Sequence, residues 1–326
     1  MVDTRVTCAQ NRRTARHCRT VFGPRSAPLA PHRSHPQRFR LPFASLSPQK
    51  DTPVSRLRSI LTATALAVTA TIASPLPSAV GDTTDVSPPG ANDWSCKPSA
   101  EHPEPVVLVH GTFENMAKNW PTLSPRLKSE GYCVFALNYG GNAMGPIAES
   151  AEELDAFVGA VLGATGARKA DLVGHSQGGM MPRYYIKNLG GATKVDDLVG
   201  IVPSNHGTET PLVRPAGLEN TACPACDEQQ AGSDFLTDLN AKDETPAGPH
   251  YTVVTTRYDE VVTPYTSAFL DGSAREVTNV TLQDACPLNV IEHDQAPNDP
   301  VVHQWVLHAL ERTGPADQAF RPSCVV

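Results

Sequence analysis

The chain has 326 residues, of which 40% are apolar, and this is enough to bury a hydrophobic core and excludes general disorder. The 247 residues from Val80 onward contain 15 basic and 32 acidic side chains, a formal net charge of −17. That balance argues against a protein that binds nucleic acid, and the length suits a single α/β domain.

The first 53 residues differ from the rest of the chain in composition. They contain nine Arg and one Lys against only Asp3 and Asp51, together with seven Pro, and they show no apolar periodicity. Such a segment cannot build a core, so we expect residues 1–53 to be a non-globular extension.

Residues 54–79 have the organisation of a secretory signal peptide. Arg56 and Arg58 precede 13 uncharged residues, Ile60–Ile72, and small residues and prolines follow up to Ala79. Thirteen residues are too few to cross a hydrocarbon core of about 30 Å, so a membrane anchor is the less favoured interpretation. Because signal peptides begin a precursor, we hypothesise that translation starts at Val54 and that residues 1–53 are a mis-called extension.

The remaining chain alternates between strand and helix patterns. The apolar runs predict strands over residues 106–109, 132–139, 171–174, 197–202, 251–256 and 277–282. Helical spacing and cap residues predict helices over residues 123–130, 147–162, 177–189 and 300–312. Strict alternation of this kind predicts a doubly wound, mostly parallel sheet flanked by helices in a single domain over residues 80–326.

Residues 204–249 are the one long stretch without clear elements. Within it, Pro211-Leu212-Val213 and Phe235-Leu236 offer apolar side chains for an acyl-binding wall or a lid. An immobile surface loop explains the same stretch equally well, so we leave open whether it forms a mobile cap.

A strand-to-helix turn carries the clearest chemical signal. Gly174-His175-Ser176-Gln177-Gly178 follows a predicted strand and opens a predicted helix, which is the context that a G-x-S-x-G nucleophile elbow requires. The sharp turn strains the serine and exposes its hydroxyl. We predict that Ser176 is a nucleophile and that the neighbouring His175 side chain points away from the reaction.

An activated serine needs a base and an orienting carboxylate, and in this fold they follow the serine in the order acid, then histidine. Asp259 comes directly after the predicted strand 251–256, at the edge of a parallel sheet where active sites form. We therefore predict that Asp259 orients the base. Glu260 and Asp271 are the alternatives.

Three histidines follow Asp259. His293 lies on a loop between a strand and the last helix, whereas His303 and His308 fall inside that helix. We therefore predict that His293 is the general base. Two backbone N–H groups should then form an oxyanion hole: that of Gln177 after the serine, and that of Thr112 in the turn after the strand 106–109.

Beyond the signal peptide the chain has six cysteines: Cys96, Cys133, Cys223, Cys226, Cys286 and Cys324. An even number in an exported chain suggests three disulfides, but six cysteines allow 15 pairings. Cys223-Pro-Ala-Cys226 could instead be half of a zinc site or a redox pair. No second C-x-x-C or nearby pair of histidines completes a zinc site, so we expect no metal.

Four blocks taken together resemble the secreted actinobacterial lipases of the α/β-hydrolase superfamily and, more distantly, are similar to Candida antarctica lipase B. They are His110-Gly111-Thr112, Gly174–Gly179, Asp259–Val262 and Val290–Asp294. The resemblance spans residue 96 to the C-terminus. It implies an α/β-hydrolase fold, no cofactor, and a serine lipase with a Ser176–Asp259–His293 triad that acts on long acyl esters.

The same resemblance implies three disulfides, which are Cys96–Cys133, Cys286–Cys324 and, by local pairing, Cys223–Cys226. It also implies that the Thr112 hydroxyl can donate to the oxyanion. One departure concerns His175, because lipase B has a tryptophan before the serine, so its alcohol-pocket selectivity does not transfer.

We therefore interpret the chain as a secreted, extracellular lipase or carboxylesterase that works as a monomer on lipid or other ester substrates, including those at a lipid–water interface. It would bind no nucleic acid and have no stable membrane span. A cutinase-like polyesterase or an acyltransferase would use the same triad. A non-catalytic binding protein on the same fold is the alternative from a different class, and it would be expected to have lost triad residues.

Overall fold

The structure, a computed structural model, describes residues 86–210 and 223–325. The expected extension (1–53), the expected signal peptide (54–79) and the candidate lid residues Pro211-Leu212-Val213 lie outside the described residues. Within those described ranges, no helix has the length and apolar character needed to cross a membrane.

The core of the fold is one sheet of six parallel strands in the order β2-β1-β3-β4-β5-β6. Nearly all the strand residues are buried, because a parallel sheet is covered by helices on both faces. The predicted doubly wound α/β sheet is confirmed. The strands are β1 (Val106–Val109), β2 (Val134–Leu137), β3 (Ala170–His175), β4 (Val195–Ile201), β5 (His250–Thr255) and β6 (Val277–Thr281).

Nine helices accompany the sheet in the described part of the chain. The longer ones coincide with the predicted helices to within three residues at each end. The helices are α1 (Met116–Asn119), α2 (Leu123–Ser129), α3 (Gly140–Ala143), α4 (Ile147–Thr165), α5 (Gln177–Asn188), α6 (Pro224–Glu228), α7 (Asp234–Asn240), α8 (Leu282–Ala285) and α9 (Pro300–Leu310).

Two hydrophobic cores form, one on each face of the sheet. Alternate residues of β1 point to opposite faces, so Val107 and Val109 pack in the core that contains α4 and α5. Val106 and Leu108 pack in the other core, with α2 and α9. The helices therefore hold the sheet from both sides and leave the carboxyl ends of its strands open for a site.

A group of carboxyl side chains lies at the amino-terminal ends of the central strands, opposite the open carboxyl ends. Asp171 begins β3, and Asp196 and Asp197 begin β4, with one carboxyl oxygen from each lying within 4.8 Å of the others. Burial, followed by the charges of Asp196 and Glu104, raises the pKa of Asp197 to about 8. Burial and the charge of Asp197 likewise raise the pKa of Asp171.

The buried Asp197 should make the fold less stable at alkaline pH. An aspartate in the unfolded chain titrates near pH 4, whereas Asp197 in the folded chain keeps its proton up to a pKa of about 8. The folded state therefore holds an extra proton between these values, and its stability falls as the pH rises through them. The asparagine of Asp197→Asn does not titrate. We therefore expect the free energy of unfolding of this variant, relative to that of the wild type, to rise by about 1–3 kcal/mol when the pH is raised from 5.5 to 8.5.

Urea unfolding of both chains at the two pH values measures this difference. Asp238→Asn, which alters an exposed carboxyl group on α7, is the matched control and should leave the pH dependence unchanged. Parallel pH dependence in the wild type and Asp197→Asn would contradict the expectation.

Candidate active site

Ser176 occupies the sharp turn between β3 and α5. Its backbone has φ 55° and ψ −123°, a region that costs a non-glycine residue about 1–3 kcal/mol. Two flanking glycines allow the turn. A Cβ atom on Gly174 would lie 1.8 Å from the Gly178 carbonyl oxygen, and one on Gly178 would lie 2.1 Å from the carbonyl oxygen of Val109. The elbow is thus packed directly against β1, and no other residue type fits at either glycine.

Asp259 and His293 are brought together from separate loops, after β5 and after α8. The Nδ1 atom of His293 lies 3.0 Å from both carboxyl oxygens of Asp259, and both residues are buried. The backbone N–H groups of Val261 and Val262 donate to Asp259 Oδ1 at 2.9 and 2.7 Å. Because a carboxylate accepts hydrogen bonds, Nδ1 of His293 is the donor in its contact with Asp259.

None of the alternative acids and bases makes the Asp259–His293 contact, although Glu260 is exposed at the same cavity. Glu260 and Asp271 are exposed. The Nε2 atom of His303 lies 2.8 Å from the Pro297 carbonyl oxygen, so this histidine is engaged within its own part of the fold. His308 stacks on the ring of Phe320 at 4.0 Å.

The two predicted oxyanion-hole residues are linked by their side chains. The Thr112 hydroxyl donates to Gln177 Oε1 at 2.6 Å. Gln229 Nε2 donates to both, at 3.0 Å to Thr112 Oγ1 and at 3.2 Å to Gln177 Oε1. The Thr112 hydroxyl is therefore already engaged by Gln177, whereas the sequence resemblance implied that it is available to an oxyanion.

Gln229 was not identified from the sequence. It follows α6, in a stretch with no clear periodicity, and a lone glutamine carries no motif that would set it apart. Only the folded chain shows that it reaches the turn after β1 and the start of α5.

These residues meet at a cavity of about 340 Å³. Thr112, Ser176 and His293 all line it, so the predicted nucleophile, base and oxyanion turn face one space. Its lining residues are Thr112, Phe113, Glu114, His175, Ser176, Ser204, Thr208, Thr210, Gln229, Glu260, Val261, Val262, His293 and Asp294.

His175 corrects one expectation. Its side chain was predicted to point away from the reaction, yet it lines the cavity, and its ring centroid lies 5.0 Å from that of His293. His175 lies two residues after Val173 and shares its face of β3, on which Ala296 of the His293 loop also packs.

The structure describes residues 204–210 and 223–249 of the possible cap (204–249), and residues 223–249 are folded onto α5. Arg183 on α5 is buried and donates through Nη2 to Asn240 Oδ1 at 2.7 Å and through Nε to the Glu244 carbonyl oxygen at 3.1 Å. Lys187 Nζ donates to the Leu239 carbonyl oxygen at 2.6 Å. The helix that carries the predicted nucleophile at its N-terminus therefore also anchors this segment.

Phe235 and Leu236 do not form an acyl-binding wall. Leu236 is buried in the core, and Phe235 stacks on Tyr184 of α5 with ring centroids 5.7 Å apart. Neither residue lines the cavity. Their apolar side chains hold α7 against the domain.

The six cysteines are paired in the structure. Cys96 bonds Cys133 at the start of β2, Cys223 bonds Cys226 within α6, and Cys286 bonds Cys324. The described residues contain one group of three potential metal ligands, the Asp171, Asp196 and Asp197 carboxyls. It lies at the amino ends of the strands, away from Ser176, and the Lys169 ammonium pairs with Asp196 at 2.8 Å.

The model of lipase class 2 matches residues 103–306, which is more than half of the chain. The chain belongs to the class 2 lipase family. Two proteins named triacylglycerol lipase, from Pseudarthrobacter phenanthrenivorans and Burkholderia plantarii, are each 42% identical to this class 2 lipase over 87 residues. That region is 24% of this chain and 27% and 24% of those relatives, so the chain matches about a quarter of their length.

Solved structures share the fold. Aspergillus fumigatus lipase B superposes with a TM-score of 0.60 at 22% identity, over 71% of this chain and 57% of that protein. The mature form of Bacillus licheniformis lipase BlEst2 gives a TM-score of 0.52 at 15% identity, over 65% and 94%. The resemblance to α/β-hydrolase lipases and the expected α/β-hydrolase fold are both confirmed.

Replacing Arg183 by Met should destabilise the class 2 lipase domain. The methionine fills a similar volume but leaves the buried acceptors of Asn240 and Glu244 without a donor. We expect the free energy of unfolding to fall by about 2–4 kcal/mol in urea titrations. The control Arg126→Met removes an exposed ion pair with Glu130 and should cost less than about 1 kcal/mol. Equal losses in the two variants would show that Arg183 is not an anchor.

Proposed function

We propose that this chain is a secreted carboxylic ester hydrolase of the triacylglycerol lipase kind, acting through an acyl-enzyme on Ser176. One observation carries the proposal. His293, bonded through Nδ1 to both oxygens of Asp259, lines the same cavity as a serine on a strained elbow. Membership of the class 2 lipase family and the names of the two relatives support the same chemistry.

The first half of the reaction follows from the protons. His293 Nε2, the free ring nitrogen, accepts the proton of the Ser176 hydroxyl, and the oxygen attacks the ester carbonyl carbon. Asp259 stabilises the imidazolium that forms. The imidazolium then gives its proton to the leaving alcohol, and Ser176 retains the acyl group.

The second half reverses these roles with water. His293 removes a proton from a water molecule, which attacks the acyl carbon. The bond from that carbon to the Ser176 oxygen then breaks, His293 returns the proton to this oxygen, and the carboxylic acid is released. In both halves the backbone N–H groups of Thr112 and Gln177 would stabilise the negative oxygen, since Gln177 begins α5, where N–H groups are unpaired.

The charges around the cavity favour an uncharged substrate. Three carboxyl residues, Glu114, Glu260 and Asp294, are among its described lining residues, and none of that lining is Lys or Arg. A neutral ester meets no repulsion there, whereas an anionic substrate would. The carboxylate product is repelled by the same groups, which favours its release.

We further propose the domain organisation that the sequence suggests. Residues 1–53 are a non-globular N-terminal extension, residues 54–79 are a signal peptide, and residues 80–326 are the extracellular hydrolase domain. Three paired disulfides support export, because such bonds persist in oxidising compartments.

Ser176→Ala is expected to remove the hydrolysis of p-nitrophenyl esters, because the variant lacks the hydroxyl oxygen that would carry the acyl group. Initial rates of purified 80–326 on chains from C2 to C16 measure this, and we expect a loss of at least about 10⁴-fold. Ser273→Ala is the matched control. Ser273 is exposed, its hydroxyl bonds Glu276, and its loss should leave every rate unchanged.

The chain-length profile then defines the enzyme. A serine-dependent optimum at C8 or longer supports a lipase, whereas an optimum at C2–C4 would make it a short-chain esterase. Rates that survive in Ser176→Ala would remove Ser176 from the nucleophilic role. The absence of any serine-dependent rate, together with no labelling by a fluorophosphonate, would favour a binding protein.

A further inference from the structure

His175 connects the nucleophile elbow to the loop of the proposed base. It immediately precedes Ser176, is buried, and places its Nε2 atom 3.1 Å from the backbone carbonyl oxygen of His293. On its other side, Nδ1 lies 3.2 Å from Glu114 Oε2 and 3.1 Å from Asn119 Nδ2. One ring thus touches the elbow, the base loop and the segment that follows the oxyanion turn.

The partners of His175 require a hydrogen on Nε2 and are compatible with either protonation state of Nδ1. A carbonyl oxygen only accepts, so Nε2 of His175 carries a hydrogen and donates it to His293. Asn119 Oδ1 accepts from the Gly111 N–H at 3.3 Å, which leaves its Nδ2 group facing the ring as a donor. Next to Nδ1 there is thus one donor, Asn119, and one acceptor, Glu114. The ring orientation is held whether or not Nδ1 carries a proton.

Glu114 remains ionised in this setting. Burial opposes the charge, but the hydrogen bond and charge of His175 and the ammonium of Lys118, 3.1 Å away, outweigh it. They lower the pKa of Glu114 to about 2. Its carboxylate is therefore a permanent acceptor for His175.

The His293 backbone lies outside regular secondary structure. It lies in the loop between α8 and α9, where its carbonyl oxygen also accepts from the Ala296 N–H at 3.2 Å. The bond to Asp259 fixes the tilt of the His293 ring, and the hydrogen bond from His175 ties the backbone of this loop to the strand that leads to Ser176. Misplacing a reacting group by about 1 Å can cost roughly 10² in rate.

The oxyanion turn packs against the same ring. A Cβ atom on Gly111 would lie 3.0 Å from His175 Nδ1 and 3.2 Å from the Cβ of Ser176. The turn that precedes Thr112 therefore rests directly on His175, and the ring sets the spacing of all three parts of the site.

We propose that His175, held by Glu114 and Asn119, is a positioning residue that sets the distance between Ser176 and His293 through its Nε2–H bond to the His293 carbonyl. This inference rests on the proposed function, since it assigns a role within the same reaction. It gives the residue before the nucleophile a task that does not involve touching the substrate.

Two amide substitutions separate the ring nitrogens. Gln places an N–H near the position of Nε2 and can still donate to the His293 carbonyl, whereas Asn reaches only the position of Nδ1. We expect kcat per active site to fall about 10- to 100-fold in His175→Asn and in His175→Phe, and to stay within about threefold in His175→Gln. KM should change less than kcat.

The measurement is ester hydrolysis by purified 80–326, with active sites counted by fluorophosphonate labelling taken to completion and with melting temperatures recorded. Full kcat per labelled site in His175→Asn would overturn the inference, even if the protein melts earlier, because the role would then be structural. An equal fall in His175→Gln and His175→Phe would also overturn it.

If the His175 variants do not fold, substitutions of Glu114 test the same inference. Glu114→Gln keeps an acceptor for Nδ1 and should retain kcat, whereas Glu114→Leu should lower it at least about fivefold. Equal kcat in both Glu114 variants would overturn the inference.

Wild type and Ser176→Ala are assayed in parallel. Wild-type hydrolysis that does not depend on Ser176 overturns the proposed function as well, whereas a serine-dependent wild type with an unaffected Asn variant overturns the positioning role alone.

Discussion

The strained turn at Ser176 is the constraint on which the rest of the molecule depends. A positive φ at a serine persists only where the surroundings hold it, and here β1 and the first turn of α5 leave no room for a Cβ atom at Gly174 or Gly178. The turn therefore requires a central strand, a helix behind it and a neighbouring strand in register. It also fixes the position of the proposed nucleophile at the open edge of the sheet, within reach of loops from other strands.

The two edges of the sheet carry carboxyl groups in opposite circumstances. At the carboxyl ends, Asp259 is buried but receives two backbone N–H bonds and faces His293, so its charge is compensated. At the amino ends, Asp171 and Asp197 are buried, and their pKa values rise because burial and the charges of neighbouring carboxyl groups, including Asp196 and Glu104, oppose ionisation. The proposed chemistry depends on the first arrangement, and the second is expected to make stability depend on pH.

The segment between β4 and β5 contributes side chains to the lining of the cavity. Gln229 from this segment bonds the side chains of Thr112 and Gln177, and Arg183 of α5 holds the segment from below. A change in this segment would therefore reach the oxyanion turn through one glutamine. The α5 helix therefore supports both the proposed nucleophile at its N-terminus and the segment that contains Gln229.

The sequence by itself determined the sheet, its main helices and the order Ser176, Asp259, His293, because these depend on local apolar patterns and on turns whose residues adjoin strand ends. Only the tertiary structure decided that Gln229 reaches the oxyanion turn, that His175 faces His293 and that Phe235 packs into the core. It also defined the short helices such as α1 and α8, whose four residues are too few to show a period. The physical reason is sequence separation. Periodicity indicates which face of its own helix or strand a residue occupies, whereas these contacts join residues far apart in the chain. Their geometry exists only after the sheet has formed.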